Sequence, residues 1–296
     1  MIEIDQISLH GGIHTIEVEL INPTNPNYSH TGIRDVSKGS KRKIINLNSY
    51  AGYTTKYIDG LSEFVEIFED CMKKLGAERY IIRRVDFRID DYFRTFEELT
   101  RYNAAVILSM TLQNKLGQVE RYARTTIHNK RFVNGVQIHC YDRTEKEGGA
   151  SIAKTRLEIK VEGLCLTDIR EVLNIGKYWA DQIERSADTY REKQEVLADL
   201  VSKRIVKDIS SCCYRKPSYA QKFDEYRWMI LTAKQFRRIC RTLNLNDQTC
   251  DKYAGAGRLG LNREWVSERN MEQYSRKAAQ ALRSFFYPMI WTKRPD

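Results

Sequence analysis

Three stretches of this chain alternate apolar and polar residues with a period of two, which commits them to strands of a sheet with one apolar face and one polar face. They are Arg84-Val85-Asp86-Phe87-Arg88-Ile89-Asp90, Val136-Gln137-Ile138-His139-Cys140-Tyr141 and Arg156-Leu157-Glu158-Ile159-Lys160-Val161. Val85, Phe87 and Ile89 point to one side, and Asp86, Arg88 and Asp90 to the other. The same parity groups Gln137, His139 and Tyr141, and groups Arg156, Glu158 and Lys160. If the strands share a sheet with their apolar sides on a core, the opposite side collects carboxylates, a histidine, a tyrosine and cations.

The rest of the chain supports such a core. With 296 residues, 42% of them apolar, there is material for one large domain or two modest ones. No run approaches the ~18 apolar residues of a membrane span, and Met1-Ile2-Glu3-Ile4-Asp5 lacks the basic and apolar regions of a signal peptide. The expectation is a cytoplasmic protein with no membrane partner. Seven cysteines without a Cys-x-x-Cys pair or zinc spacing read as reduced, mostly buried thiols.

The first half reads as α+β. Residues 13–21 alternate as a strand, with a partner expected near 43–47. Leu61, Phe64, Val65, Phe68, Met72 and Leu75 recur at helical spacing, and Gly76 marks the stop. Thr95 with Glu98 is a capping-box signal for a helix reaching about Gln113. Strands are expected near 118–127, 133–141 and 153–162, with Asn134-Gly135 and Gly148-Gly149 as turns. The expected fold is thus a mostly antiparallel sheet with helices on one face, followed after Gly163 by a helical region with breaks at Pro217, Asn244–Asp247 and Gly255–Gly257. The division expected is an α+β unit over 1–163 and a basic helical region over 164–296. Trp228, Phe236, Trp265, Phe285, Phe286 and Trp291 are expected in packing.

Charge separates the two parts. Residues 196–296 hold 20 Lys plus Arg against 10 Asp plus Glu, whereas residues 1–195 hold 29 of each, so the whole net charge of +10 is C-terminal. That asymmetry favours a polyanion, with nucleic acid the candidate and Arg237, Arg238 and Arg241 the expected phosphate contacts.

The polar strand edges have the parts of a phosphodiester-cleaving site. A tyrosine phenol ordinarily titrates near pKa ~10 and needs help to act as a nucleophile. Asp86 and Glu158, with Asp90 or His139 as a third ligand, could hold Mg²⁺ or Mn²⁺ against a phosphate oxygen. Tyr141 could then attack phosphorus and give a phosphotyrosine link. His139 could instead accept the phenolic proton, and Arg88, Arg143, Arg156 or Lys160 could stabilise the transferring phosphoryl group. On residue pattern alone, two other readings stand beside this one. The polar face could be a scaffold of cross-strand ion pairs in a non-enzymatic DNA-binding protein, or Asp86, Asp90 and Glu158 could hold two metals in a primase or polymerase.

Arg84-Val85-Asp86-Phe87-Arg88-Ile89-Asp90, Ile138-His139-Cys140-Tyr141-Asp142-Arg143 and Arg156-Leu157-Glu158-Ile159 also occur in an order and spacing that resemble the Rep_trans family. These are rolling-circle plasmid replication initiators and related relaxases of integrative conjugative elements, and filamentous-phage initiators are similar. The family pattern is R-[LV]-D-x-x-x-D, then x-R-x-Y-[ND]-K, then R-[VI]-E. The resemblance covers about residues 80–162. It implies a metal-dependent DNA nickase and strand transferase with Tyr141 as nucleophile and Asp86 and Glu158 as metal-binding carboxylates. It also implies origin DNA, single-stranded or cruciform at the nick site, as substrate, with Arg156 and Lys160 on the DNA and a host helicase and a homodimer as further partners. Three positions depart from the pattern: His139 stands where the family often has Arg, Arg143 where it has Lys, and Lys146 where an acidic residue is expected.

Overall fold

A computed structural model of the chain describes residues 4–52, 58, 60–116, 119–122, 126–129, 134–146, 153–210, 219–255 and 265–287. The expected turn at Gly148-Gly149 and the expected packing of Trp291 lie outside the described residues.

An eight-stranded antiparallel sheet forms the frame. Its strands are β1 (Leu9–Ile21), β2 (Ile33–Asp35), β3 (Arg42–Asn46), β4 (Arg79–Asp91), β5 (Val119–Tyr122), β6 (Thr126–Asn129), β7 (Val136–Asp142) and β8 (Thr155–Leu166). Their order is β2-β3-β1-β4-β8-β7-β6-β5. The three alternating stretches are therefore β4, β8 and β7, adjacent at the centre. The stretch 118–127, expected as one strand, is two strands of a hairpin in which Tyr122 lies opposite Thr126. No Gly, Pro or Asn in Ala123-Arg124-Thr125 announces that reversal. The turn expected at Asn134-Gly135 is present, with both residues at positive φ, 53° and 73°, between β6 and β7.

The helices follow local signals. α1 (Leu47–Tyr50) is a single turn after β3, and α2 (Leu61–Lys74) buries Phe64, Phe68 and Met72. α2 ends where the Ala77 N–H donates to the Met72 carbonyl and the Gly76 N–H to the Lys73 carbonyl. This closure needs a left-handed residue, and Gly76 takes it at φ 62°. α3 (Phe96–Gln113) carries the complete Thr95/Glu98 capping box and is buried along nearly its whole length. After the one-turn α4 (Arg143–Lys146) come α5 (Val172–Glu192), α6 (Gln194–Ser210), α7 (Tyr219–Tyr226), α8 (Ala233–Thr242), α9 (Asp247–Gly255) and α10 (Glu268–Phe286).

The apolar sheet face, including Ile16, Val85, Phe87, Ile89, Leu157, Ile159 and Ile138, is covered by α3 and α10, with α5 packed against both helices. The closest approach is at Gly11, where a Cβ would stand 2.3 Å from the Ala281 carbonyl oxygen of α10. Phe286 of α10 meets Phe87 of β4 edge-on at 6.0 Å. Trp228, Phe236, Phe285 and Phe286 are buried and Trp265 packs at the margin. The change of pattern at Gly163 falls inside β8, which continues to Leu166 through a bulge with Gly163 at φ 76°. The helices beyond it complete the core of the sheet. Of the described cysteines, Cys71, Cys140, Cys240 and Cys250 are buried free thiols and Cys165 is an exposed one. No helix among the described residues is long and apolar enough to cross a membrane.

Candidate active site

Strand pairing lines the polar face in rungs. Asp86 stands between Thr15 and Lys160, with Gln137 beyond; Arg88 faces Glu158, then His139, then His128; Asp90 faces Arg156, then Tyr141, then Thr126. All expected site residues of β4, β7 and β8 thus share one face. This face is not an open solvated surface: Asp86, Arg88, Asp90, Tyr141, Arg143, Arg156 and Glu158 are all buried.

Access to a cavity divides the residues into two groups. In the first, Asp90 is fully enclosed and held by arginines. Arg156 donates Nε to Oδ1 at 2.6 Å and Nη2 to Oδ2 at 2.7 Å, Arg88 donates Nη1 to Oδ2 at 2.6 Å, and Arg143 approaches Oδ2 at 3.8 Å. Burial alone would raise the Asp90 pKa; Arg156, with Arg88 and Arg143, pulls it down to about 2. The same pairing corrects three expectations. Asp90, enclosed by three arginines and absent from the cavity wall, has no open side to offer a metal ion. Arg156, 1% exposed, and Arg88, also 1% exposed, spend their guanidinium groups on Asp90 rather than facing DNA. Arg88 also lies flat over Gly12, where a Cβ would come within 2.9 Å of its Nη2. Arg143 opens α4 and adds its charge to this cluster.

The second group lines a cavity of about 170 Å³: Asp86, Glu158, Tyr141, Lys146, Lys160 and His14, with Glu17 and the β2 residue Arg34 also on its walls. Arg84 holds Asp86 through Nε to Oδ1 at 2.6 Å and Nη2 to Oδ2 at 2.7 Å. Glu158 has Lys160 at 3.5 Å. Burial raises the Glu158 pKa, Lys160 opposes this, and the charge of Asp86 raises it further. Two buried carboxylates that repel each other suit a hard divalent cation, which Mg²⁺ commonly meets with one or two carboxylates, waters and a substrate phosphate. Among the described residues, no three His, Cys, Asp or Glu side chains converge as a ready-made metal cluster. The donor set therefore fits Mg²⁺ or Mn²⁺ sharing its shell with water and phosphate, and does not fit a closed protein cage.

Tyr141 is only 4% exposed, so its phenol faces the cavity and not open solvent. Lys146 stands 4.0 Å over its ring. Burial raises the phenol pKa well above its ordinary value; Arg156 and Arg143 lower it, while Glu158 and Asp90 raise it.

His139 lies outside the cavity lining and stacks on His128 at 5.5 Å. Burial, Lys160 and His128 lower its pKa to about 3. A neutral imidazole so resistant to protonation is a weak base, which corrects its proton-accepting role. Its Nε2 is buried without a hydrogen-bond partner among the described residues.

His14 is the residue that pattern reading missed. It occupies a bulge of β1, between Ile13 opposite Phe87 and Thr15 opposite Asp86. The bulge breaks the period of two and delivers His14 to the polar face. Burial, Arg156, Arg88, Arg143 and Lys160 hold its pKa well below the ordinary histidine value. Of the expected phosphate contacts, Lys160 borders the cavity, while Arg237, Arg238 and Arg241 are exposed on α8.

No protein-family model matches the chain, and no curated protein sequence matches it. A solved structure described as a rolling circle replication initiator protein from Geobacillus stearothermophilus aligns with 59% of this chain and 84% of its own, at 12% identity and a TM-score of 0.31.

Proposed function

We propose that this protein nicks and rejoins a DNA strand, with Tyr141 as the nucleophile, in the manner of a rolling-circle replication initiator. The observation that carries the reading is that one cavity gathers a tyrosine, two mutually repelling carboxylates and two lysines. Asp86 and Glu158 would hold Mg²⁺ or Mn²⁺, which supplies charge neutralisation at a phosphate oxygen when bound. Lys160 and Lys146 border the same space and attract the strand's phosphates. The phenol is held protonated by burial and by the fields of Glu158 and Asp90, against Arg156 and Arg143. Compensating Glu158 removes one of the two carboxylate fields that resist phenolate formation. Tyr141 Oη then attacks phosphorus as its O–H bond breaks, the bond to the leaving sugar oxygen breaks, that oxygen takes up a proton in place of the one the phenol has lost, and the resulting hydroxyl can reverse the step.

The Asp90 cluster serves a separate purpose. By binding three arginines it fixes β4, β8 and α4 in register, so that Tyr141 and Glu158 are presented to one space. The test is incubation with Mn²⁺ and single-stranded DNA from the gene's own neighbourhood, followed by denaturing electrophoresis. A covalent protein–DNA band is expected; its absence with every strand tried would remove the proposal.

A second reading, a non-enzymatic DNA-binding protein, draws support from the bidentate Arg84–Asp86 pair, which can hold strands without doing chemistry. It predicts tight DNA binding with no covalent band.

A further inference from the structure

The three helices α7, α8 and α9 gather around an aromatic cluster. Phe223 of α7 meets Phe236 of α8 at 5.2 Å and Tyr253 of α9 at 5.5 Å. Between α8 and α9 lie only four residues, Leu243-Asn244-Leu245-Asn246. The backbone reverses there by a defined device. The Leu245 N–H donates to the Cys240 carbonyl and the Asn244 N–H to the Arg241 carbonyl, both at 3.0 Å, with Asn244 left-handed at φ 55°. Asn246 then opens α9 at once, its Oδ1 accepting from the Thr249 N–H at 2.8 Å. Ile239, Cys240 and Cys250 are buried in the elbow, and Leu243, Leu245 and Tyr253 pack on the same core. Two short helices, a tight turn with one left-handed residue, an apolar elbow and a bracing third helix are the parts from which a helix-turn-helix is built.

Charge and exposure on the outer side fit one partner. α8 exposes Arg237, Arg238 and Arg241, and α9 exposes Asp247, Gln248, Asp251 and Lys252. Arg238 is committed to Asp199 at 3.3 Å, whereas Arg237 and Arg241, one helical turn apart, have no ion-pair partner among the described residues. Gln248 lies in the first turn of α9, where a recognition helix contacts base edges, and Lys252 one turn further on.

We propose that α8 and α9 bind duplex DNA sequence-specifically. α9 enters the major groove, Gln248, Asp251 and Lys252 face base edges, and Arg237 and Arg241 hold flanking phosphates. Glutamine, lysine and aspartate match the donor and acceptor edges of adenine, guanine and cytosine respectively. The inference shares with the proposed function only the premise that DNA is the substrate. It supplies what the cavity lacks, an element that can choose where on a duplex the protein settles.

The experiment selects random-sequence duplexes on the full-length protein in EDTA, so that the readout is independent of strand cleavage. An enriched consensus is expected. Gln248→Ala and Lys252→Ala should each weaken binding to the consensus duplex roughly ten-fold while leaving scrambled duplex nearly unaffected. Arg237→Ala and Arg241→Ala should weaken consensus and scrambled duplexes alike, each reducing the slope of log affinity against log salt by about 1. All four side chains are exposed, and circular dichroism checks that each variant is folded. Failure to enrich any consensus, or a consensus bound equally well by the Gln248 and Lys252 variants, would overturn the assignment. A missing covalent band in the separate Mn²⁺ assay would instead count against Tyr141 chemistry and leave duplex reading standing.

Discussion

Arg156 grips Asp90 with two parallel hydrogen bonds, Nε to Oδ1 at 2.6 Å and Nη2 to Oδ2 at 2.7 Å, and both side chains are almost wholly removed from solvent. Such a pair adds little net stability while intact, because its attraction mainly offsets desolvation, but neutralising one member is costly because the remaining charge is stranded in a poorly solvated place.

Asp90→Asn should therefore destabilise the fold by about 3–5 kcal/mol, read by urea denaturation at neutral pH. The pH dependence has a definite sign. The folded-state pKa is depressed from 3.8 to about 2, so the carboxylate contributes stability that is fully present above the ordinary value and is lost as pH falls from 3.8 towards about 2. The amount lost is roughly 2 kcal/mol. Urea midpoints measured down through this window should fall more steeply for the natural protein than for the Asn variant. Parallel curves would place the acid sensitivity elsewhere.

Asp86→Asn and Glu158→Gln each remove one anionic donor from the cavity and should weaken Mn²⁺ binding about ten-fold or more by calorimetry, equivalent to roughly 1.4 kcal/mol. In the absence of metal, Asp86→Asn should also let Glu158 ionise at lower pH, because Asp86 is one of the charges that raises it. Unchanged Mn²⁺ affinity in both variants would turn the pair into cross-strand scaffold.

Removal of everything after Gly163 should unfold the protein rather than release an independent nicking unit. The cut passes through β8 and strips α5 and α10 from the core, exposing Phe87, Ile89 and Gly11 where α10 now lies. Loss of the native circular dichroism signal is expected, and a folded, cooperative fragment would contradict it.

Much of this arrangement was legible in the chain. Alternation in β4, β7 and β8 placed Asp86, Glu158 and Tyr141 on one face because parity is a local property that survives into any sheet. Gly76 and the Thr95/Glu98 box marked helix ends for the same local reason. What could not be read is set by tertiary contact. His14 reaches the cavity through a bulge whose only trace in sequence is the adjacent polar pair His14-Thr15 between Ile13 and Ile16. The β5–β6 hairpin turns without a turn residue to announce it. Asp90 and Arg156 looked like site residues because parity reports the face and not the depth, and only the folded sheet decides which charges are spent on one another. The break at Asn244–Asp247 was readable, but not the aromatic contacts of Phe223 with Phe236 and Tyr253 that draw α7, α8 and α9 together.

The role of Tyr141 rests on its position beside Asp86 and Glu158 in one cavity, and mass spectrometry of the covalent product reads it at the level of the bond. After incubation with Mn²⁺ and single-stranded DNA, nuclease trimming and proteolysis, the nucleotide adduct should map to the peptide carrying Tyr141, and Tyr141→Phe should abolish it while keeping the fold. An adduct that persists in the Phe variant, or that maps to Tyr92 or Tyr122, would show that another hydroxyl attacks the phosphorus.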